Sequence, residues 1–512
     1  MPSAVATKHK QYNDFAPKWQ RVRDVVSGQD EVYAASVAYL PMLLDETPGA
    51  YDARLRRTPF YNASWRTMAA FVGMLFRKPP NLEVPKELEP LLDDVTLSGV
   101  NFANFAQEIV LEDIAISRVG VLVDHPLRVV NQDGSGPTVA QAEALNLRPS
   151  MSLYKAEAII NWHYEKINNR YVLTQVRLAE IEVIRKNEFE NEEEKRIKVL
   201  DLIEGKYRIR LFKEENGEQI SGDLYPLMDG KPLDFIPFYL IGPDGAQTAV
   251  SEPILIDLVD LNLKHFQVSA DYEHACHMTA LPTPVISGAQ EQFHPETGLP
   301  MEKSYYIGST VAWLLPMGAE AKFLEFQGGG LSALENNLTR KENQMAAIGA
   351  RMLTPEKAGV EASETLAMRN AGEHSILAAI AIATSEGLTR ALETFAKWAG
   401  KKGEVKFEIN RDFMPYAITP QALTALLSAV QAGKLSDESF FDLMKRGDLI
   451  EADLNFEDEQ SRIDENKDMP PPVLPGGAAP GQPAPGQPMP GKPPSRAPGA
   501  PGAPGGAGGP RA

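Results

Sequence analysis

Apolar and polar residues alternate with the spacing of amphipathic helices through the first part of the chain. Proline ends one of these patterns at Pro79-Pro80, because a proline lacks the amide proton that a helix interior uses. Residues 1–120 are therefore predicted to be mainly helical. The clearest predicted helices are 12–26, 62–77 and 102–118.

Residues 151–242 change to short runs with strand-like alternation. The best two runs, 171–178 and 207–212, are rich in β-branched and aromatic residues. Turn signals separate the runs at Asn168-Asn169, Asn216-Gly217 and Asp229-Gly230. The charged run 190–198 is predicted to be a solvated loop or hairpin tip. A helical part followed by a β-rich part indicates the α+β class.

A long helix is predicted at 251–280, with Ser251 as its N-cap and Pro282 just beyond its end. Polar residues recur in it every three or four positions, so they form one continuous stripe among mostly apolar positions. The stripe has two interpretations: an ordinary surface helix, or a helix packed beside copies of itself with the stripe lining a polar lumen. Its members are Asp257, Asp260, Lys264, Gln267, Asp271 and His274.

The segment after this helix is predicted to be extended over 281–330. Helix 331–352 follows, with a narrow apolar stripe and Arg340 and Lys341 among the polar residues beside it. This pattern suits a helix that leans on a neighbour along one side.

A short loop, 354–362, separates that helix from the longest helical pattern, 363–399. The longest pattern is apolar nearly all round at 376–383, so its middle is expected to be buried. Gly372 and Gly387 are positions where it could bend. Two shorter helices are predicted from Pro420 to Gly433 and from Ser436 to Gly447, before an acidic segment at 451–468.

Composition separates the end of the chain from the rest. Residues 469–512 contain 15 prolines and 11 glycines in 44 positions, so they are predicted to be disordered. The remaining length corresponds to roughly three domain-sized units. The whole chain of 512 residues has a formal net charge of −18, and the tail carries three cations and no acid, which leaves −21 on the rest. Such an acidic body argues against tight phosphate binding, though not against contact with sliding DNA.

The single cysteine, Cys276, excludes an internal disulfide and suits a reducing compartment. The N-terminus has no apolar region typical of a signal peptide. The longest strongly apolar stretch, 376–383, is far shorter than the roughly 20 residues that span a bilayer. These features predict a soluble protein that is intracellular when made.

Catalytic and cofactor motifs are missing from the sequence. It has no phosphate-binding P-loop, no dinucleotide fingerprint around Gly134-Ser135-Gly136, and no zinc-protease, serine-hydrolase or C-x-x-C motif. The best metal-like cluster is DYEHACH at 271–277, which would still need ligands from elsewhere. No metal and no cofactor are predicted, and Cys276 has no identified base that would make it a nucleophile.

The order of elements resembles the portal proteins of tailed bacteriophages. Several strings also resemble one portal-like phage family that is catalogued as a domain of unknown function, and the resemblance covers residues 12–467. The strings are PKWQRVRDVVSG at 17–28, FVGMLFRKPP at 71–80, SRVGVLVD at 117–124, DLNLKHFQVSADYEHACHMTALPTPV at 260–285, AKFLEFQGGGLSALE at 321–335 and ENQMAAIGARML at 342–353.

The resemblance implies a portal-type layout. Residues 1–250, completed by 400–418, correspond to the wing, 251–280 and 331–353 to the two stem helices, and 281–330 to the clip. The segment 354–362 corresponds to the tunnel loop, 363–399 to the long wing helix, and 419–468 to the crown. Within the tunnel loop, the residues expected to approach DNA are Thr354, Pro355, Glu356, Lys357 and Gly359.

The resemblance also implies a function that is not enzymatic. A ring of twelve copies would form the channel through which double-stranded DNA is packaged into a capsid and later ejected. The implied partners are the terminase large subunit, head-completion or adaptor proteins, and the major capsid and scaffolding proteins, without a membrane. The implied location is the capsid portal vertex of the virion, and the host cytoplasm before assembly.

Two other functions remain open on the sequence alone. One is a different ring or adaptor protein of the virion, against which the two long stem-like helices argue. The other is a metal-dependent hydrolase that uses the cluster at 271–277.

Overall fold

The computed structural model describes residues 3–126, 141, 144–245, 249–280, 283–288, 313, 315, 317–324, 330–351, 376–411, 420–446, 449–450 and 454–467. The chain forms two compact units, Met1–Ala417 and Ile418–Ala512. Of the sequence predictions, the tail 469–512, the loop 354–362 and the stretch 363–375 lie outside the described residues.

Six helices form the first part of unit 1, as the sequence predicts. Side chains of Thr47, Asn62 and Asn101 cap three of them, each accepting a hydrogen bond from the amide three residues further on. The helices are α1 (Lys10–Ser27), α2 (Gln29–Ala35), α3 (Pro48–Arg57), α4 (Ala63–Leu75), α5 (Glu89–Leu92) and α6 (Phe102–Ile116).

A three-stranded antiparallel sheet lies at the centre of unit 1. Its middle strand is β2 (Val119–Asp124), flanked by β3 (Ser150–Lys155) and a strand from later in the chain, β10 (Phe238–Ile241). Between β2 and β10 the chain also forms a short pair, β8 (Leu227–Met228) with β9 (Lys231–Pro232), and β1 (Asn81–Glu83) precedes them all.

A second sheet has four antiparallel strands in chain order, joined by tight connections. They are β4 (Ile159–Ile167), β5 (Arg170–Arg185), β6 (Asn191–Ile203) and β7 (Lys206–Lys213). The prediction of a loop or hairpin tip at 190–198 is wrong for most of its length, because residues 191–198 belong to β6 and the tip is 186–190. Near the tip, both faces of the paired strands β5 and β6 are exposed, so a charged sequence still forms a strand there.

Three helices and a hairpin follow the sheets in unit 1. They are α7 (Ile256–Ala280), the paired strands β11 (Thr283–Ser287) and β12 (Glu320–Leu324), α8 (Leu331–Arg351) and α9 (Ile376–Trp398). The predicted N-cap at Ser251 is wrong, because the helix begins at Ile256. Residues 251–255 lead into it, with the amide of Ile254 bonded to the Ser117 hydroxyl.

Helix α9 is buried along most of its length, as its apolar middle predicts. It runs through Gly387, a predicted position for a bend, as one continuous helix. A Cβ atom at Gly387 would lie 2.5 Å from the Ile241 side chain, so this glycine permits a close contact between α9 and β10. After α9, β13 (Lys406–Glu408) returns to pair with β1 and closes unit 1.

Unit 2 contains three described helices, α10 (Pro420–Gln431), α11 (Asp437–Arg446) and α12 (Phe456–Lys467). The first two confirm the predicted short helices, and Gly433 has the positive φ of +66° typical of a helix C-terminus. The acidic segment 451–468 is helical from Phe456 onward. None of the described helices in either unit is long and apolar enough to cross a membrane.

Asp113 is a buried carboxyl group between α6 and α9. Its Oδ2 accepts a hydrogen bond of 3.2 Å from the Thr384 hydroxyl, and its Oδ1 has no hydrogen-bond partner. Burial raises the pKa of Asp113 to about 7. The folded protein therefore holds this proton at pH values where the unfolded chain, with a pKa of about 3.9, has released it.

We expect Asp113→Asn to remove one source of pH dependence. In the parent, Asp113 lowers the free energy of unfolding as pH rises from about 4 to about 7. Above pH 7 the free energy of unfolding stays at that lower value. Relative to the parent, the free energy of unfolding of the variant should therefore rise by a few kcal/mol across this pH window, because one pKa unit corresponds to about 1.4 kcal/mol. Urea unfolding of both proteins from pH 4 to pH 8 measures the difference, and a constant difference would contradict the assignment.

Candidate functional site: the α7–α8 helix pair

Helix α7 has a buried side and an exposed stripe. Its buried apolar residues face the N-terminal helices and α8, while Asp257, Asp260, Lys264 and Asp271 are exposed and Gln267 and His274 are half-buried. The stripe predicted from the sequence is therefore the solvent-accessible side of this helix within one chain. Which way the stripe faces in an assembly stays a prediction.

The N-terminal helical layer contacts the stripe from one edge. Arg21 Nη1 on α1 lies 2.7 Å from Asp260 Oδ1, and Gln267 Nε2 donates a hydrogen bond of 2.8 Å to the carbonyl of Tyr39. Lys264 Nζ donates a bond of 2.9 Å to Gln267 Oε1. The N-terminal helical layer of the same chain thus binds Asp260 and Gln267, whereas it does not cover Asp257.

A buried ion pair lies near Asp271, toward the C-terminal end of the polar stripe. Arg54 Nε donates to Glu46 Oε1 and Arg54 Nη2 to Glu46 Oε2, each at 2.8 Å, and the side chains are 2% and 6% exposed. These bonds hold the pKa of Glu46 down to about 2. Although Asp271 is exposed as a whole residue, partial burial of its carboxyl group raises its pKa, while the positive charge of Arg54 opposes that shift.

Helix α8 packs on α7 along the narrow apolar stripe that the sequence predicts. Met345 is fully covered, and Leu331, Leu334, Leu338 and Ile348 are half-buried. The other side of α8 is open: Arg340 is exposed and donates a bond of 3.1 Å to Asn337. Lys341 is half-buried.

A buried histidine joins the two helices. His265 Nε2 lies 3.3 Å from Glu342 Oε1, and the His265 side chain is 6% exposed. Burial lowers the pKa of His265, and its contact with Glu342 opposes that shift. Because the neutral ring is favoured in the folded state, acidification below the ordinary histidine pKa weakens this packing.

Asn262 is a buried structural residue of α7 that the predicted polar stripe does not include. Its Oδ1 accepts hydrogen bonds from Ala63 N, Ser64 N and Ser64 Oγ at 3.0–3.1 Å, and its Nδ2 donates to the Tyr61 carbonyl at 2.8 Å. The bonds to Ala63 and Ser64 are buried and the bond to Tyr61 is partly buried, so α7 caps the N-terminus of α4 from outside that helix. In the sequence, the sign of this role is a polar residue, Asn262, that lies outside the polar stripe of the helix.

The metal-like cluster at 271–277 does not converge on one point among the described residues. No group of three or more His, Cys, Asp or Glu side chains able to hold a metal ion occurs in the part of the chain that the structure describes. Cys276 is a half-buried free thiol. The predicted tunnel-loop residues Thr354, Pro355, Glu356, Lys357 and Gly359 lie outside the described residues.

One family model matches the segment that contains this helix pair. It is described as a domain of unknown function, DUF4055, and it covers residues 254–399. Three of the strings that carried the resemblance fall in or across that segment, so the resemblance to a family of this description is confirmed there. No curated protein matches the chain.

Solved structures similar to the chain come from gene transfer agent particles. One is the neck of a native particle with C12 symmetry, at 12% identity, covering 82% of this chain and 98% of that one, with a TM-score of 0.37. The neck of an empty particle with C6 symmetry gives 11% identity, coverages of 80% and 96%, and a TM-score of 0.35. A structure of the native virion gives 12% identity, coverages of 80% of this chain and 96% of that one, and a TM-score of 0.33.

Proposed function

We propose that the chain is the portal subunit of a tailed phage or phage-like particle. The observation that carries the proposal is the α7–α8 pair, whose first helix is about 37 Å long and exposes one polar stripe with three aspartates, over about 26 Å from Asp257 to His274. The β11–β12 hairpin lies in the chain between the two helices. In this proposal 251–280 and 331–353 are the stem, 281–330 is the clip, and residues 1–250 with 400–418 are the wing.

The charge of the stripe suits a channel that DNA must slide through. Asp257, Asp260 and Asp271, repeated around a ring of twelve copies, repel the phosphates weakly from every side. Rings of clustered cations would instead bind the phosphates and retard sliding. Lys264, with Arg340 and Lys341 on α8, would supply only transient contacts.

The remaining parts of the proposal concern assembly. The ring stands at the capsid vertex and is not itself an enzyme. The terminase large subunit docks on the clip, head-completion proteins follow after packaging, and capsid and scaffolding proteins surround the wing. The crown at 419–468 and the long wing helix at 363–399 complete the subunit.

We expect the purified full chain to form a closed ring, because the open sides of α7 and α8 are then covered by neighbouring copies. Native mass spectrometry should show a cyclic species of 12 or 13 subunits, and negative-stain images should show a central hole. A stable 56.2 kDa monomer at micromolar concentration would contradict the proposal.

The tunnel-loop assignment makes a separate prediction for Lys357. It is the only cation in 354–362, so a charge reversal by Lys357→Glu should leave ring assembly unchanged while it alters DNA packaging or retention. The packaged DNA length in particles that carry the variant is the measurement. Lys166→Glu, at an exposed position on β4, serves as the control and should leave the DNA length unchanged, and an unchanged DNA length for Lys357→Glu would show that this role is wrong.

A further inference from the structure

The β5–β6 ribbon projects beyond its own sheet. Strand β4 pairs with β5 no further than Leu178, and β7 pairs with β6 only from Arg196 inward. From Ile181 to Arg185 the two strands therefore pair only with each other, over about 17 Å. A free two-stranded ribbon is only marginally stable, so a partner that covers it would stabilise it.

The tip of the ribbon, residues 186–190, holds an aromatic side chain out in solvent. Asn187 Oδ1 accepts hydrogen bonds of 2.9 Å from the amides of Phe189 and Glu190, and Arg185 Nη2 donates one of 3.0 Å to the carbonyl of Glu188. This network fixes the backbone while Phe189 stays 89% exposed. A rigid, exposed aromatic residue is typical of an anchor that inserts into a partner.

The surroundings of Phe189 decide what kind of partner fits. Ile181 and Val183 on one face of the ribbon are 62% and 58% exposed, so the apolar surface extends down from the tip. Acidic residues outnumber cations in the same region: Glu182, Glu188, Glu190, Glu192, Glu193 and Glu194 lie beside Arg185, Lys186, Lys195 and Arg196, so the net charge over 181–196 is −2. This charge opposes DNA and anionic membranes, and favours a protein surface with an apolar recess and a cationic rim.

Such a recess exists elsewhere on the same chain, between α1, α4 and α6. It is an open cleft of about 370 Å³ with a mixed lining: Val22, Val26, Trp65, Met68, Leu111 and Ala115 are apolar, and Arg23, Ser27, Asn62, Glu112 and Lys155 are polar. A cavity of about 150 Å³ accepts benzene, so the cleft has room for a phenyl ring and adjoining backbone. Trp65 is 51% exposed and offers an aromatic face.

The rim of this cleft is cationic where it is exposed. The Lys155 side chain lines the cleft and is 59% exposed, with its Nζ 3.6 Å from Glu112. Glu112 itself is 6% exposed and is bound to Arg23, so the accessible charge at the cleft is that of Lys155.

We propose that Phe189 of one copy inserts into the Trp65 cleft of the next copy, with the glutamates of the ribbon beside Lys155. The proposal rests on the ring assembly proposed above and names one of its contacts. The anchor and the cleft are different surfaces of the same chain. Repetition of the contact therefore gives a head-to-tail interface, which closes into a ring when the rotation allows.

Disulfide trapping tests the contact in the full chain. In a Cys276→Ser background, Phe189→Cys and Leu111→Cys together should give, on mild oxidation, a ladder of linked subunits up to the full ring. The matched control replaces Phe189→Cys with Tyr171→Cys, because Tyr171 is 71% exposed and lies at the end of β5 away from the tip. The control should give no ladder.

The outcomes separate this contact from the portal function. Rings without a ladder would overturn the contact and leave the proposed function standing. A ladder in a protein that forms only open chains would support the contact and contradict the portal. As a second measurement, Phe189→Ala should raise the protein concentration needed for assembly by on the order of tenfold, while Tyr171→Ala leaves it unchanged. Equal assembly of both alanine variants would also overturn the contact.

Discussion

Replacement of Asn262 by leucine should lower the free energy of unfolding by about 3–5 kcal/mol. The side chain is nearly the same size, but it removes the acceptor of three donors at the start of α4 and the donor to the Tyr61 carbonyl. The amide and hydroxyl of Ser64 lose their partner without gaining water, at a cost of about 1–3 kcal/mol for a group left unpaired, while Ala63 N and the Tyr61 carbonyl keep their 2.9 Å bond to each other.

Urea unfolding followed by circular dichroism measures this effect. The matched control is Asn104→Leu on α6, where the asparagine is exposed and the change should stay within about 0.5 kcal/mol. A loss below about 1 kcal/mol for the Asn262 variant would mean that the α4 terminus finds other partners.

Replacement of Arg54 by methionine should be comparably severe. It leaves the carboxylate of Glu46 buried without its partner, and loss of one member of a buried pair costs about 3–5 kcal/mol. Because the pKa of Glu46 is about 2 in the folded protein, the stability from this pair is present above the unfolded pKa of about 4.3. It is lost as pH falls toward 2, and the variant should lack that acid dependence.

Two comparison variants make the Arg54 result specific. Arg56→Met removes an arginine two positions away whose side chain is 75% exposed, and it should change stability by no more than about 1 kcal/mol. The double variant Arg54→Met with Glu46→Gln removes both charges and should recover part of the loss. No recovery would show that the cost lies in packing and not in the unpaired charge.

The sequence predicts most helices of this fold because their apolar spacing is local information. Helices 12–26, 62–77, 102–118 and 331–352 agree with the structure to within two residues at each boundary. The misplaced start of α7 and the charged part of β6 have a different origin. The start of α7 depends on a partner distant in sequence, the Ser117 hydroxyl bonded to the amide of residue 254, whereas residues 191–198 form a strand through their pairing with the neighbouring strand β5, which their charge pattern does not report.

The candidate site was predictable in its pattern but not in its contacts. The polar stripe of α7 follows from residue spacing, and it is the accessible side of that helix. The links from Asp260 to Arg21 and from Gln267 to Tyr39 join residues more than 200 positions apart, which periodicity does not report. The same is true of Asn262, whose four hydrogen-bonded contacts all lie in the segment 61–64.

The pairing of β1 with β13 has a consequence for biosynthesis. Asn81 aligns with Glu408, so this edge of the N-terminal layer stays open until most of the chain has left the ribosome. At 5–20 residues per second, that interval is roughly 15–65 s. During this time the exposed backbone of residues 81–83 and the uncovered apolar surface near Phe102, which meets Phe407 in the finished protein, are accessible to chaperones. Nascent chains released before residue 408 would lack this closure and be targets for degradation.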